Sequence, residues 1–291
     1  MTDRPVIFFM FAGRRGNLEV NIPQVLDILD RHPNVEFHLW NLGRIESDRQ
    51  YVERIRHERI THCSLYSGRA AYRHMNRVWQ HYTHPRFKDS LFVKVDDDVV
   101  FLETGRFGNF LDAVEVNPQF VVSANVVNNG ACTPITTGLW NGFTDLNIPL
   151  LDVHESNAYA EMAHEYFLEN WADMLEQPVD VIQTEDWLSI NLVGMHWPML
   201  CKVWEAIGAR SPREIAGRLW EPGSRVGDEG AVNMLPRALM RGFTVAHLGF
   251  GPQSITEEQE EDWRGRYAAL ARKYLGGWVT ADGRKPEGAF G

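Results

Sequence analysis

The sequence has 291 residues, 44% hydrophobic and 23% charged, with a net charge of −10. Those figures describe ordinary globular material and argue against a wholly basic nucleic-acid binder, while leaving room for a local basic patch. No run approaches the ~18 apolar residues of a membrane span. Cys63, Cys132 and Cys201 are spaced for neither a disulfide framework nor a zinc motif, so a soluble, cytoplasmic protein is expected.

Val6–Ala12 (VIFFMFA) reads as a buried strand; it is too short for a secretory signal. A flexible loop with two cations follows, Gly13-Arg14-Arg15-Gly16-Asn17, and residues 18–31 then have helical spacing. Strand, loop and helix together have the layout of a nucleotide cradle. The glycines match neither the dinucleotide fingerprint nor a P-loop, so an ordinary βα turn explains this piece equally well.

Residues 35–42 alternate apolar and polar and read as a second strand. Residues 46–58 read as a charged helix, 60–66 as a short strand and 68–82 as a helix rich in Arg and His. Residues 44–88 hold ten Arg/Lys against four Asp/Glu, so the segment is basic inside an acidic chain. A solvated helical face accounts for that charge; a phosphate-contacting surface is the functional alternative.

Residues 90–103 (SLFVKVDDDVVFLE) are the most informative stretch. A buried-type strand ends in Asp96, Asp97 and Asp98, and a second apolar run follows at once. Three adjacent acids between buried runs repel one another, and a divalent cation is the simplest relief. They also fall at a strand's carboxyl end, where open α/β sheets bind ligands. Phe107–Val116 has helical spacing, and residues 120–127 read as another strand.

From about residue 131 to 226 the pattern becomes loops and helices, notably 157–176, with many aromatic residues. Most of these rings fill a core; a few suit stacking on sugars or bases. At Gly227-Asp228-Glu229-Gly230, Asp228 is expected to N-cap a helix with 232–240 as its body and Gly242 as its stop. Two acids between glycines are also where a general base could sit. Residues 243–248 read as a late strand placing His247 before Gly249-Phe250-Gly251; a lone His at a strand end is usually structural, and the functional alternative is a metal ligand with the carboxylate cluster as co-ligand. A final amphipathic helix reaches about Tyr274, and the tail from Gly276 reads as loose.

These parts, in this order, resemble the GT-A fold nucleotide-sugar glycosyltransferases of the D-x-D type. VIFFMFAGRR resembles their opening strand and nucleotide-binding loop, KVDDDV their D-x-D strand, and GDEGAVN with AHLGFGPQ their late acidic helix start and metal-binding His loop. The resemblance implies an α/β, Rossmann-like, mostly parallel central sheet flanked by helices. One domain is expected, with residues 1–130 binding the nucleotide-sugar and an elaborated half, 131–291, binding the acceptor. It further implies a hexosyltransferase-like enzyme that moves a sugar from a UDP-sugar to an acceptor hydroxyl with inversion. Asp96, Asp98 and His247 would serve a Mn2+ or Mg2+ ion, the imidazole tilting the choice toward manganese. Phe11, Ala12, Gly13, Arg14, Arg15, Asp96, Asp97, Gly249 and Gly251 would line the nucleotide, with Asp96 toward the ribose or the metal. Asp228 or Glu229 would be the base, with Glu185-Asp186 as a rival pair. The acceptor is a glycan, a protein, or a hydroxymethylated pyrimidine in DNA, as in phage DNA modification. A nucleotidyltransferase and a non-catalytic nucleotide-sugar or glycan-binding module are the alternatives.

Overall fold

A computed structural model describes residues 2–66, 71–221 and 223–276. The chain begins with β1 (Val6–Ala12), α1 (Arg15–Arg31), β2 (Val35–Asn41), α2 (Glu46–Val52), β3 (Ile60–Cys63) and α3 (Met75–Tyr82). It continues through β4 (Leu91–Asp96), β5 (Val99–Leu102), α4 (Phe107–Val116), β6 (Val121–Val127), α5 (Thr137–Leu146) and α6 (Asn157–Leu175). The remainder is β7 (Val181–Thr184), β8 (Leu192–His196), α7 (Trp197–Ala206), β9 (Glu214–Ile215), β10 (Arg218–Leu219), α8 (Asp228–Asn233), β11 (Arg237–His247) and α9 (Glu257–Tyr274). The expected helix at 68–82 begins outside the described residues, as does the tail from 277 onward. Among the described residues no helix is long and apolar enough to cross a membrane, and the three cysteines are free.

Nine strands form one sheet, in the order β3-β2-β1-β4-β8-β6-β11-β5, with β7 also paired to β11. It takes strands from both halves of the chain. The architecture is α/β with helices on both faces. Alternation along β1 shows this: Phe8 packs on Phe107 of α4, and its neighbour Phe9 packs on Trp79 and Tyr82 of α3. All seven residues of β1 are buried, as a strand covered on both faces requires.

The sheet is mixed rather than mostly parallel. β1, β2, β3 and β4 run parallel, as do β6 and β11. β8 is inserted antiparallel between β4 and β6, and β5 and β7 pair antiparallel with β11. The short link from β4 to β5 is one reason. Only Asp97 and Asp98 lie between them, too few residues for a parallel crossover, and β5 is instead paired with β11.

The expected helix over 232–240 is corrected. α8 stops at Asn233, Gly227 rather than Asp228 is its N-cap, and Arg237–His247 is a strand. Pro236 lacks the amide hydrogen a helix interior needs, so the chain leaves the helix before it. β7, β8 and α7 also replace part of what read as loops.

α1 fixes β5 through buried amides. Asn21 donates to the Val99 carbonyl at 2.7 Å, and Gln24 accepts from the Leu102 amide at 2.7 Å. These bonds occupy backbone groups of the terminal strand and hold the acid turn against the start of α1.

Candidate active site

The loop after β1 is tied to the acid turn by one carboxylate. Asp97 Oδ2 accepts the backbone N–H groups of Gly13 and Arg14 at 2.8 and 2.9 Å. Its Oδ1 accepts Arg14 Nε at 2.9 Å and also meets Arg14 Nη2. Burial raises the Asp97 carboxyl and Arg14 opposes it. With both oxygens committed to the loop, Asp97 holds the site's frame. Arg14 Nη2 also reaches Asp98 Oδ2 at 2.8 Å. Burial disfavours the Arg14 charge, but Asp98 and Asp97 outweigh it and raise its pKa. Arg15 points elsewhere: it is exposed and donates to Glu19 at 2.7 Å. Ala12 is buried in the sheet, whereas Phe11 reaches the cavity described below.

Asp96 and Asp98 have different surroundings. Asp96 Oδ1 accepts Lys94 Nζ at 2.6 Å, and the same ammonium donates to the Ile190 carbonyl at 2.7 Å. Burial pushes the Asp96 carboxyl up to about 6, against the pull of Lys94. Asp98 Oδ2 lies 3.1 Å from His247 Nε2. Burial works to raise Asp98, but His247 and Arg14 prevail and hold it below the usual carboxylate range. The Leu248 amide donates to the Asp98 carbonyl at 2.9 Å, which sets the His loop over the acid turn.

Among the described residues no group of three or more His, Cys, Asp or Glu side chains is arranged to hold a metal ion. Asp98 and His247 form a pair, with Asp96 turned to Lys94. Asp98 Oδ1 and His247 Nδ1 are buried and have no hydrogen-bond partner. Such orphaned atoms fit a divalent ion that takes the rest of its shell from phosphate oxygens and water.

The fourth segment is the start of α8. Asp228 Oδ2 accepts Trp79 Nε1 at 3.2 Å, and Oδ1 accepts the Glu229 amide at 3.0 Å. Both of its oxygens are therefore engaged. Glu229 is bound on one side only: Oε1 accepts Trp187 Nε1 at 2.7 Å and lies 3.3 Å from Ser189 Oγ. Oε2 has no donor among the described residues. Burial raises the Glu229 carboxyl, with Asp228 adding to it and Trp187, Lys94 and Arg218 opposing. A raised carboxyl with one free oxygen is suited to accept a proton.

The β1 loop, the acid turn, the His247 loop and the start of α8 all face one cavity of about 590 Å³ at the carboxyl ends of β1 and β4. Its walls include Phe11, Gly13, Arg14, Asp96, Asp97, Asp98, Asp228, Glu229, His247, Gly249 and Gly251. That volume lies within the ~300–1,000 Å³ of small-molecule sites. Glu185 and Asp186 do not line it; their backbone carbonyls accept the Arg237 guanidinium at 2.8 and 3.3 Å. Sequence reasoning missed Lys94, Asn191 and Asp48 in the walls, whereas Arg44, also there, opens the basic segment offered as a phosphate-contacting surface; it did not place Trp187 and Ser189 behind Glu229. Lys94 gave a signal: a lysine inside an apolar strand needs a buried acid, and Asp96 is two residues on.

No protein-family model matches the sequence, and no curated protein does.

Proposed function

We propose that the chain is a metal-dependent glycosyltransferase with the GT-A fold, moving a hexose from a UDP-sugar to an acceptor hydroxyl with inversion. One observation carries this reading. Four stretches far apart in sequence, the Gly13-Arg14 loop, the acid turn, the Asp228-Glu229 helix start and the His247–Gly251 loop, converge on a single cavity.

The residues divide the work by position. Asp98 and His247 would hold the Mn2+ or Mg2+ ion, which when bound would neutralise the leaving diphosphate. Arg14 stands beside Asp98 and adds positive charge on the same side. Gly249 and Gly251 admit the diphosphate; a Cβ at Gly251 would meet nothing within 4 Å, so the space beside it is open to a ligand. Glu229 removes the acceptor's proton through Oε2, while Asp228 holds the helix start in place. Lys94 keeps Asp96 oriented at the cavity floor.

The acceptor side is basic. α3 reaches Asp228 through Trp79 and carries exposed Arg77, with exposed Arg73 in the turn before it; exposed Arg213 precedes the β9–β10 hairpin, which carries exposed Arg218, 5.0 Å from the Trp187 ring centre. Cations on both sides of the acid pair favour an anionic acceptor, such as DNA bearing hydroxymethylated pyrimidines, over a neutral glycan or protein. Binding to such DNA should weaken steeply with salt, and a flat response would exclude phosphate contacts.

Calorimetry with UDP, GDP and CDP, with and without Mn2+, on the wild type and Asp98→Ala tests the core claim. UDP should bind only with the metal, and the variant should lose that binding while a melting curve shows it folded. No nucleotide binding in the presence of metal would refute the reading. Release of pyrophosphate from a nucleoside triphosphate would point to a nucleotidyltransferase. Binding of nucleotide-sugar without any turnover would point to a binding module.

A further inference from the structure

Behind Glu229 lies a polar chain that no sequence motif announces. His154 sits in the 3-10 turn Leu150–His154 and is buried, as is Ser189. His154 Nε2 lies 2.7 Å from Ser189 Oγ, and His154 Nδ1 lies 3.2 Å from the Leu151 carbonyl. Ser189 Oγ in turn lies 3.3 Å from Glu229 Oε1.

Proton counting fixes the direction of this chain. A carbonyl can only accept, so His154 Nδ1 carries the ring proton. Burial pushes the His154 imidazole down to about 4, so the ring is neutral near pH 7 and Nε2 is a bare acceptor. Ser189 has one hydroxyl proton and two acceptors within reach. The one at 2.7 Å is His154 and the one at 3.3 Å is Glu229. The hydroxyl therefore donates to His154 and turns a lone pair toward the carboxylate. Trp187 remains as the side-chain donor to Glu229 Oε1.

We propose that His154 is a positioning residue for Glu229: by drawing the Ser189 hydroxyl to itself it withholds a second donor from the carboxylate and keeps that carboxylate basic. A donor to a charged carboxylate lowers its proton affinity, and denying one raises it. The other charged groups facing Glu229 are Asp228, Lys94 and Arg218; Arg218 and His247 also face His154. None of them is a ligand to the hydroxyl. Both partners are held in place: Asn129 donates to the Ser189 carbonyl at 3.0 Å, and the Phe250 ring packs edge-on against the His154 ring with centroids 4.7 Å apart. The role matters for catalysis only if Glu229 is the base, so it rests on the function proposed above.

The test needs no substrate. Infrared titration of the full chain with 13C-carboxyl glutamate reads Glu229 protonation, assigned by difference against Glu229→Gln. His154→Phe keeps a ring against Phe250 but frees the Ser189 hydroxyl to turn. It should lower the proton affinity of Glu229 about tenfold, one pH unit of midpoint. Ser189→Ala should not lower it, and the double variant should match Ser189→Ala. An unmoved midpoint in His154→Phe, or a drop that persists in the double variant, overturns the proposal. A second readout uses the unaltered protein: 15N–1H spectra of the imidazole should show the proton on Nδ1 of His154. A proton on Nε2 overturns the proposal whatever the variants do. A chain that passes both tests yet transfers no sugar refutes the proposed function and leaves the tuning of Glu229 standing.

Discussion

Arg14 and Asp97 are joined by a backbone N–H at one carboxylate oxygen and by the guanidinium at the other. A loop cation and a strand-end acid thus form one unit, and the acid's role is to shape the loop. Asp97→Ala removes the acceptor for Gly13, for the Arg14 amide and for its side chain. The expected cost is about 2–3 kcal/mol, below that of a fully enclosed pair because Arg14 reaches solvent. Chemical denaturation measures it, and a loss under 1 kcal/mol would show that the loop holds itself.

Glu229→Gln and Asp228→Asn should separate base from scaffold. Gln keeps the oxygen that accepts from Trp187 but cannot take a proton. Sugar transfer should fall ~10²–10⁴-fold with nucleotide affinity unchanged. Asp228→Asn retains an acceptor for Trp79 and should lose less than about tenfold in rate. The reverse ranking would make Asp228 the base.

Glu103 gives a pH prediction away from the site. It is buried, Oε2 accepts the Thr244 amide at 2.7 Å and Oε1 lies 3.3 Å from Arg106 Nε. Burial pushes its carboxyl up to about 8 from 4.5, against the pull of Thr244 and Arg106. Between those values the folded chain holds a proton that the unfolded chain has released. This contribution to stability is therefore full below about pH 4.5 and declines as pH rises, until it is gone above about 8. Glu103→Gln should remove that slope, which amounts to at least about 1.4 kcal/mol across the window. Denaturation midpoints at pH 5.5, 7 and 8.5 check it, and parallel slopes in both proteins would disprove it.

Gly251→Val adds bulk where a side chain meets nothing within 4 Å. Stability should change by less than about 0.5 kcal/mol. Metal-dependent nucleotide binding should nonetheless weaken about tenfold or more, because the branched side chain would stand where the diphosphate passes. Unchanged binding would place the nucleotide elsewhere in the cavity.

The sequence was legible where chemistry and periodicity coincide. Val6–Ala12 is an uninterrupted apolar run and the strand ending in Asp96 is broken only by Lys94, and their boundaries are visible because a glycine follows the first and acids end the second. β8 was hidden by Gly194, which reads as a break. The structure explains the glycine: a Cβ there would lie 2.5 Å from Val114 Cγ2, so its absence is what lets α4 sit on the strand. The helix expected over 232–240 followed apolar spacing past Pro236, and the proline was the better guide. In the site, the acids and His247 were visible because carboxylates between buried runs are rare. Trp187, Ser189 and His154 were not, since nothing local marks a residue whose partner is 35 or 42 positions away. The split between Asp228 and Glu229 needed the identity of each oxygen's neighbour.

The place of β8 has a consequence for how the chain is made. β4 and β6 both pair with a strand that leaves the ribosome some 65–100 residues after them. Until then each has an edge without its final partner, on a strand that the finished fold buries almost throughout. His247 arrives later still, in a strand that also closes over β5 and β6. The nascent amino-terminal half is therefore an open-edged intermediate, the kind that binds other chains or a chaperone. Products that stop before β8 should aggregate, and the cavity can exist only once the chain has been made through the His247–Gly251 loop.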